Sequence, residues 1–226
     1  MKLTWLGHSG FRIEIADQVL LVDPWLKGNP MFPAEREAEA VAGATRILLS
    51  HGHGDHAGDA ARLAKAYRLP VAGIPELVHI LGAEGVEGID FNKGGTIRLG
   101  AVAVTMVSAT HSSSFGSAGY AGGEAGYMIA GEGRTIYFSG DTDVTADMGV
   151  FEALHHPEIG ILCAGGHYTM DMARAAYAAR TFFNFRTVIP CHYRTFPLLE
   201  QSAEALKAGL PGVEVIEPEV MVPIEI

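Results

Sequence analysis

At positions 51–56 the sequence reads His51-Gly52-His53-Gly54-Asp55-His56, which places three imidazoles and one carboxylate within six residues. Imidazole nitrogens and carboxylate oxygens are the ligands that suit zinc, manganese or iron. The intervening glycines let the backbone turn sharply, so that neighbouring side chains can converge on one point. A single histidine is more often an ordinary surface or core residue, but so many polar rings have no use in a core and predict a metal site.

The residues on either side predict where this site lies in the fold. Residues 45–50 are an apolar run with the pattern of a short buried strand. Residues 58–67 are rich in alanine and leucine, which favours a helix. The ligands are therefore expected on a strand-to-helix loop, where open α/β sheets tend to place their functional sites.

Three more candidate ligands follow predicted strands further along the chain. They are His111 in Ala109-Thr-His-Ser-Ser113, Asp141 in Phe138-Ser-Gly-Asp-Thr142 and His192 in Ile189-Pro-Cys-His-Tyr193. Taken alone, Asp141 is equally compatible with an ordinary helix cap. In this order, however, the pattern HxHxDH and the three later positions resemble the metallo-β-lactamase-fold hydrolases.

Two further segments narrow the resemblance. They are Trp5-Leu-Gly-His-Ser-Gly-Phe11 and Gly165-Gly-His-Tyr-Thr-Met170, which are similar to segments of a bacterial subgroup of small metal-dependent hydrolases, the UPF0173-like proteins. That subgroup is similar to ascorbate-6-phosphate lactonase and to the phospholipase D that cleaves N-acyl phosphatidylethanolamine. The resemblance covers nearly the whole chain, and it specifies the fold but not the substrate.

The resemblance implies an α/β fold, namely a four-layer αβ/βα sandwich in which helices flank two mixed sheets, with a dinuclear metal site at one edge. It also implies two divalent metal ions, with Zn2+ expected and Mn2+ or Fe as alternatives. Carried over residue by residue, three residues would hold the first ion, three would hold the second and one carboxylate would bridge them. In that order they are His51, His53 and His111; Asp55, His56 and His192; and Asp141.

The function that the resemblance implies is a metal-dependent hydrolase of the phosphodiesterase or lactonase/esterase type. A hydroxide bound to the two ions would attack a phosphodiester or a lactone or ester, with Asp55 and His167 as the catalytic candidates. An apolar cleft would favour lipid phosphodiesters, whereas a small polar cleft would suit sugar-phosphate lactones. The alternative is a non-hydrolytic metal-binding protein on the same fold, either a sensor or a di-iron redox protein.

Three residues around this site are further candidates. His167 precedes a helix predicted over about residues 169–183, and helix N-termini bind anions, so its imidazole is expected to stabilise or protonate a leaving group. The alternative for His167 is a structural role. His8 lies in a predicted turn, where it is either bonded to local backbone or, as in the resembling subgroup, at the rim of the cleft. Asp23 ends a predicted strand and is expected to accept a hydrogen bond from a ligand histidine.

The later part of the chain carries a weak internal echo. Arg186-Thr-Val-Ile-Pro-Cys-His192 is similar to Arg46-Ile-Leu-Leu-Ser-His51, since in each case a short apolar strand leads from an arginine to a histidine. The echo hints at two similar halves that face one cleft. A last helix is predicted over residues 197–208.

Composition bounds the number of domains and the kind of partner. The chain has 226 residues, of which 48% are hydrophobic, and no linker divides it, so residues 1–226 are expected to form one domain. Its net charge is −10 and its basic residues are scattered, which argues against a nucleic-acid partner. The expected partner is a small-molecule substrate, and a homo-oligomer is compatible with the sequence.

The sequence also predicts where the protein acts. Charged residues interrupt the first 26 residues, and no stretch approaches the ~20 apolar residues of a membrane span, so neither a signal peptide nor a membrane anchor is expected. Cys163 and Cys191 lie in apolar contexts and are expected to be reduced core residues. These features fit a cytoplasmic enzyme.

Overall fold

The first sheet combines the N-terminal strands with the last strand of the chain. The structure, a computed structural model, describes residues 1–226. Across this sheet the strands follow the order β16 (Pro223–Glu225), β1 (Lys2–Gly7), β2 (Gly10–Ile15), β3 (Gln18–Val22), β4 (Arg46–Leu48), β5 (Val71–Gly73) and β6 (Gly88–Asp90). The strands from β16 to β3 pair antiparallel, whereas those from β3 to β6 pair parallel.

The second sheet is also mixed. Its order is β15 (Glu214–Val215), β14 (Thr187–Cys191), β13 (Ile159–Cys163), β12 (Arg134–Phe138), β11 (Ala125–Gly131), β8 (Val102–Ser108) and β7 (Thr96–Leu99). The strands from β7 to β12 pair antiparallel and those from β12 to β15 pair parallel. A separate small hairpin contains β9 (Ser114–Phe115) and β10 (Gly119–Tyr120).

Helices connect the parallel strands, as parallel pairing requires. They are α1 (Glu37–Val41), α2 (Gly54–Ala57), α3 (Ala60–Tyr67), α4 (Pro75–Ala83), α5 (Asp147–His155), α6 (Met172–Phe182) and α7 (Glu204–Gly209). A 3-10 turn, Ala34–Arg36, precedes α1. No helix is both long enough and apolar enough to cross a membrane.

The two sheets pack their apolar faces into one core. Tyr127 on β11 donates a hydrogen bond to the carbonyl of Leu49, which follows β4 in the other sheet. Phe11 and Phe138, one from each sheet, pack edge to face with ring centroids 6.4 Å apart. A single cluster of 63 buried hydrophobic residues fills the interior. The prediction of an α/β fold with two mixed sheets flanked by helices is confirmed; the assignment of residues 1–226 to one domain stays a prediction.

The helix predicted over residues 169–183 begins later than expected. Asp171 is its N-cap residue and accepts a hydrogen bond from the backbone N–H of Arg174 at 2.7 Å, so α6 starts at Met172. The backbone N–H of Gly166 donates to the carbonyl of Met170, which closes a loop before the helix. His167 lies in this loop, so the helix N-terminus argument for its role is wrong.

The helix predicted over residues 197–208 is wrong in its first half, because only Glu204–Gly209 is helical. The backbone of Glu200 is paired with other segments. Its N–H donates to the carbonyl of Gly165 at 2.9 Å, and its carbonyl accepts from the N–H of Arg194 at 2.8 Å. These long-range bonds replace the bonds that a helix would need, so residues 197–203 form an irregular cover beside β14.

Candidate metal centre

Loops at the carboxyl ends of strands from both sheets carry the candidate ligands. In the first sheet, β4 leads into residues 51–56. In the second sheet, β8 leads to His111, β12 leads to Asp141 and β14 leads to His192. Because these strand ends meet at the same edge of the sandwich, side chains far apart in sequence converge there.

The first group of ligand atoms comes from three histidines. Candidate ligand atoms of His51, His53 and His111 all lie within 4.8 Å of one another. Nε2 of His51 and Nδ1 of His53 are 2.9 Å apart. His51 is fully buried, and the other two rings are partly exposed. Three imidazoles at this separation can bind one cation together.

Asp141 lies between this group and a second one. The second group contains His8, Asp55, His56 and His192, whose candidate ligand atoms all lie within 4.8 Å of one another. Asp55 and His56 are both on the single turn of α2. Oδ2 of Asp141 is 3.2 Å from Nε2 of His56, 3.1 Å from Nε2 of His192 and 3.6 Å from Nε2 of His111. A carboxylate that faces histidines of both groups has the position expected of a bridging ligand. All seven predicted ligands are therefore brought together.

Two buried atoms at this junction make no hydrogen bond of acceptable geometry within the protein, although one of them, on His56, lies 3.2 Å from Oδ2 of Asp141. They are Nε2 of His56 and Oδ1 of Asp141. An unpaired buried polar atom costs about 1–3 kcal/mol, so such atoms indicate a missing partner. A divalent cation would accept a lone pair from each, and imidazoles with carboxylates are a donor set that Zn2+, Mn2+ and Fe accept. The residues present therefore fit a metal ion.

The charges around His56 favour a cation at the same place. Burial alone would lower the pKa of His56, but the carboxylates of Asp141 and Asp23 raise it well above its usual value. Burial would likewise raise the pKa of Asp141, yet His192 and His56 hold it well below its usual range. A proton on His56 and a metal ion thus compete for the space between these carboxylates.

Asp23 orients two of the candidate ligand imidazoles, that of His56 directly and that of His51 through Ser50. Its Oδ2 accepts a hydrogen bond from Nδ1 of His56 at 2.8 Å, and its Oδ1 accepts one from the backbone N–H of Ser50 at 2.8 Å. The Ser50 hydroxyl donates to Asp23 and therefore accepts from Nδ1 of His51, 2.9 Å away. Both imidazoles therefore use Nδ1 for this support, so that Nε2 is the ring nitrogen that faces the other candidate ligands. Sequence reasoning missed Ser50, although its place directly before the first histidine was a usable signal.

His8 lies inside the site and not at an open rim, since its side chain is 1% exposed. Its Nε2 is 3.0 Å from Oδ2 of Asp55, and its Nδ1 is 2.8 Å from the hydroxyl of Thr195. Its ring therefore bonds side chains from distant loops and not the local backbone. Burial lowers the pKa of His8 to about 4, which leaves the imidazole neutral near pH 7.

A cleft of about 450 Å³ opens over the candidate ligands. It is lined by His53, Asp55, His111, Ser112, Asp141, Tyr168 and His192. Sequence reasoning missed Tyr168, whose only signal was its place beside His167. The exposed His167 ring instead lines a neighbouring hollow with Asp171 and Glu200. The structure thus brings Tyr168 into the cleft and leaves His167 outside it.

Comparison with known proteins identifies the family. Residues 2–192 match the beta-lactamase superfamily domain. A protein of Cereibacter sphaeroides described as a UPF0173 metal-dependent hydrolase is 70% identical over 230 residues, which is 100% of each chain. A protein of Paracoccus denitrificans with the same description is 65% identical and covers 99% of each chain. The chain belongs to the beta-lactamase superfamily and, within it, to the UPF0173 family of metal-dependent hydrolases.

A solved structure agrees with this assignment. The chain resembles Igni18, described as a novel metallo hydrolase from the hyperthermophilic archaeon Ignicoccus hospitalis. The TM-score is 0.84 at 31% sequence identity, with 100% of this chain and 98% of the other covered. The predicted resemblance to the UPF0173-like subgroup of the metallo-β-lactamase fold is confirmed.

Proposed function

We propose that this protein is a hydrolase that uses two divalent metal ions, expected to be Zn2+, to cleave a small polar ester or lactone. The observation that carries the proposal is the position of Asp141, whose Oδ2 lies within 3.6 Å of histidines from both ligand groups. The family description of the relatives supports hydrolysis, and the unpartnered atoms of His56 and Asp141 support the metal ions.

The bound ions would supply an activated water as the nucleophile and a Lewis acid for the oxygen anion that develops. The residues of the chain would do the positioning. Asp55, whose carboxylate is 33% exposed, faces the cleft where the reacting bond must lie. Asp23 and Ser50 fix the tautomers of two ligand imidazoles. Tyr168 lines the cleft, and its hydroxyl would offer a hydrogen bond to the substrate.

The cleft favours a compact polar substrate. Five of its seven lining residues are histidine or aspartate, and Tyr168 is the only one with a large hydrophobic side chain, so the cleft has no extended apolar wall for a long acyl chain. No lysine or arginine lines it, so a phosphate group would find its countercharge only in the ions. We therefore propose a lactone or simple ester as the substrate class. A phosphodiester of small alcohols is the second candidate, and a lipid phosphodiester is the third.

The only role proposed for His167 is to donate a proton to the leaving group. Its ring lies next to that of Tyr168, with centroids 4.6 Å apart and the planes nearly perpendicular. A leaving group that extends past Tyr168 would reach this imidazole. If His167 transfers a proton, His167→Asn should lower kcat by about 100-fold. A loss below about 3-fold would remove His167 from the catalytic residues.

The reaction class is tested by a substrate screen. Purified protein is assayed with bis-p-nitrophenyl phosphate, p-nitrophenyl acetate and a set of lactones, with and without a chelator. The proposal expects hydrolysis of the lactone or ester class, its loss with chelator and its return with Zn2+ or Mn2+. Metal-loaded protein that hydrolyses none of these classes would contradict it. The proposed setting is the cytoplasm, with a small-molecule substrate and neither nucleic acid nor a membrane as a stable partner.

A further inference from the structure

Specific contacts hold both the backbone and the ring of His8. Its φ is +53°, in the left-handed region that residues other than glycine adopt infrequently. Its carbonyl accepts hydrogen bonds from Nε1 of Trp5 at 2.8 Å and from the backbone N–H of His192 at 2.9 Å. Its ring packs edge-on against Trp25 and Phe196, with centroids 5.5 and 5.9 Å away. The backbone and the ring plane are therefore both fixed.

The two ring nitrogens of His8 also have defined partners. Nε2 lies 3.0 Å from Oδ2 of Asp55. A carboxylate can only accept, so this contact requires a hydrogen on Nε2. Nδ1 lies 2.8 Å from the hydroxyl of Thr195, whose other contacts, to the carbonyl of Tyr193 and the sulfur of Met31, are longer at 3.3 Å. The Thr195 hydroxyl therefore donates to Nδ1 and selects the tautomer that donates to Asp55.

His8 lies within the second group by distance, but its contacts differ from those of the other histidines. His56, His111 and His192 each bring Nε2 within 3.6 Å of Asp141, the carboxylate between the groups. His8 is not among the histidines in ion-pair contact with Asp141, and its one ion-pair contact is Asp55. Its ring packs against that of His192, with centroids 4.0 Å apart, so it lies beside the second group and contacts Asp55 but not the bridging carboxylate.

We propose that His8 is a positioning residue, which acts through Asp55 and does not bind an ion itself. Its Nε2–H fixes the carboxylate of Asp55 in one orientation, and Thr195 fixes the tautomer that provides this hydrogen. The inference rests on the proposed function, because it takes Asp55 as a ligand of the second ion. Removal of such an outer partner lowers metal affinity by about 10–100-fold.

The tautomer is tested directly by NMR. Long-range 1H–15N correlation spectra of zinc-loaded protein with 15N-labelled histidine distinguish a ring protonated at Nε2 from one protonated at Nδ1. The signal of His8 is identified by its loss in His8→Gln. We expect the neutral ring with its hydrogen on Nε2. A hydrogen on Nδ1 would overturn the proposal, because the lone pair of Nε2 would then face Asp55 and an ion, as a direct ligand does.

Metal affinity gives the second readout. Competition titrations with a chromophoric chelator compare the wild type with His8→Ala, His8→Gln, Thr195→Val and Thr195→Ser. We expect His8→Ala to weaken the second ion about 10–100-fold and to leave the first within about 3-fold. His8→Gln, whose amide can still donate to Asp55, should recover most of this loss. Thr195→Val should weaken the second ion less, and Thr195→Ser should match the wild type.

Two results would contradict the positioning role: unchanged affinity for the second ion in His8→Ala, or an equal loss of both ions in a protein that still melts cooperatively. If His8→Ala fails to fold, the Thr195→Val and Thr195→Ser pair decides the question. Wild-type protein that binds no metal would refute the proposed function instead. The two failures are therefore distinguishable.

Discussion

Asp55 and Asp141 are two carboxylates in one site, and burial separates their roles. The carboxylate of Asp141 is only 2% exposed and touches histidines of both groups, so it is suited to hold two ions together. That of Asp55 is 33% exposed and borders the cleft, where a substrate can approach. Burial alone would raise the pKa of Asp55, but the hydrogen bond from His8 and the charge of His56 keep it below its usual range.

The first prediction concerns Asp141. Asp141→Asn removes the negative charge shared by the two groups, so we expect both metal occupancy and chelator-sensitive hydrolysis to fall, the latter by at least about 100-fold. Asp143→Asn is the matched control, because Asp143 lies two residues on, is half-exposed and pairs with Arg174. Equal metal content and activity in the two variants would show that Asp141 is not a ligand.

A second prediction at this scale concerns Ser50. Ser50→Ala breaks the link between Asp23 and His51, so the His51 ring loses the partner that fixes its tautomer. We expect metal affinity to fall about 10-fold, measured by chelator competition. The exposed Ser117, replaced by alanine, serves as the control. Affinity that is the same in both variants would mean that the backbone alone orients His51.

At the scale of elements, the two glycines within residues 51–56 have different roles. The sequence suggested that both let the chain turn, but neither adopts a positive φ. A Cβ at Gly52 would lie 2.8 Å from the carbonyl oxygen of Ser114 and 2.9 Å from Cβ of Ala121. A Cβ at Gly54 would meet nothing within 4 Å. Gly52 is therefore needed so that the segment after β8, which carries His111, can pack closely against residues 51–56.

This contrast yields a matched pair of variants. Gly52→Ala should push the loop of His111 away, so we expect the free energy of unfolding to fall by about 1–3 kcal/mol and the first ion to bind more weakly. Gly54→Ala should be neutral or slightly stabilising, because Gly54 begins α2 and alanine favours a helix. Chemical denaturation and metal titration measure both effects. Equal behaviour of the two variants would contradict the close-packing account.

Arg62 on α3 links this helix to α1, which precedes residues 51–56 in the chain. Its guanidinium binds both oxygens of Glu37 at 2.7 and 2.9 Å and both oxygens of Asp59 at 2.6 and 2.8 Å. The hydrogen bonds from Arg62 lower the pKa of Glu37. Burial would raise the pKa of Asp59, but Arg62 and the backbone N–H of Lys27 lower it. The guanidinium of Arg62 thus links α3 to Glu37 on α1, and Asp59 extends this link to the backbone at Lys27, before α1.

These pKa shifts predict a pH dependence of stability. Because the folded-state pKa values of Glu37 and Asp59 are lowered, their contribution is present above the usual carboxyl pKa of about 4 and is lost as the pH falls below it. Arg62→Gln should therefore lower the free energy of unfolding at pH 7 by about 1 kcal/mol, since the guanidinium is 36% exposed and screened by water. It should also flatten the loss of stability below about pH 4.

Denaturant unfolding at several pH values measures this difference. Lys65→Gln is the control, because Lys65 forms only an exposed pair with Glu84. It should change the free energy of unfolding by less than about 0.5 kcal/mol at every pH. Parallel pH profiles for wild type and Arg62→Gln would contradict the assignment of the acid-sensitive stability to this cluster.

At the scale of the molecule, the site forms where two sheets present matching strand ends. β4 begins at Arg46 and leads to His51, and β14 follows Arg186 and leads to His192. The echo between these two segments is thus matched by their places, one in each sheet, on either side of one cleft. Cys191 precedes His192 but is a buried free cysteine that lies outside the groups of candidate ligands.

The sequence sufficed to predict the fold and to select the candidate ligands that the structure brings together, because both depend on local patterns. Each ligand-bearing segment begins within a few residues of the end of an apolar strand, and HxHxDH is compact enough to be recognised in one short window. The position of His8 depends on Thr195, which lies 187 residues away, and the cleft position of Tyr168 depends on the loop closed between Gly166 and Met170. The irregular run after residue 197 depends on backbone bonds to β13 and β14 loops. Long-range contacts of this kind leave no periodic signal.

The most direct test of the two-ion centre is metal analysis of protein purified without added metal, by elemental analysis and native mass spectrometry. We predict about two divalent ions per chain, removed by chelator and restored by Zn2+ or Mn2+, and fewer in Asp141→Asn but not in Asp143→Asn. Protein that takes up no ion, or that holds the same single ion with and without Asp141, would contradict a centre bridged by this carboxylate.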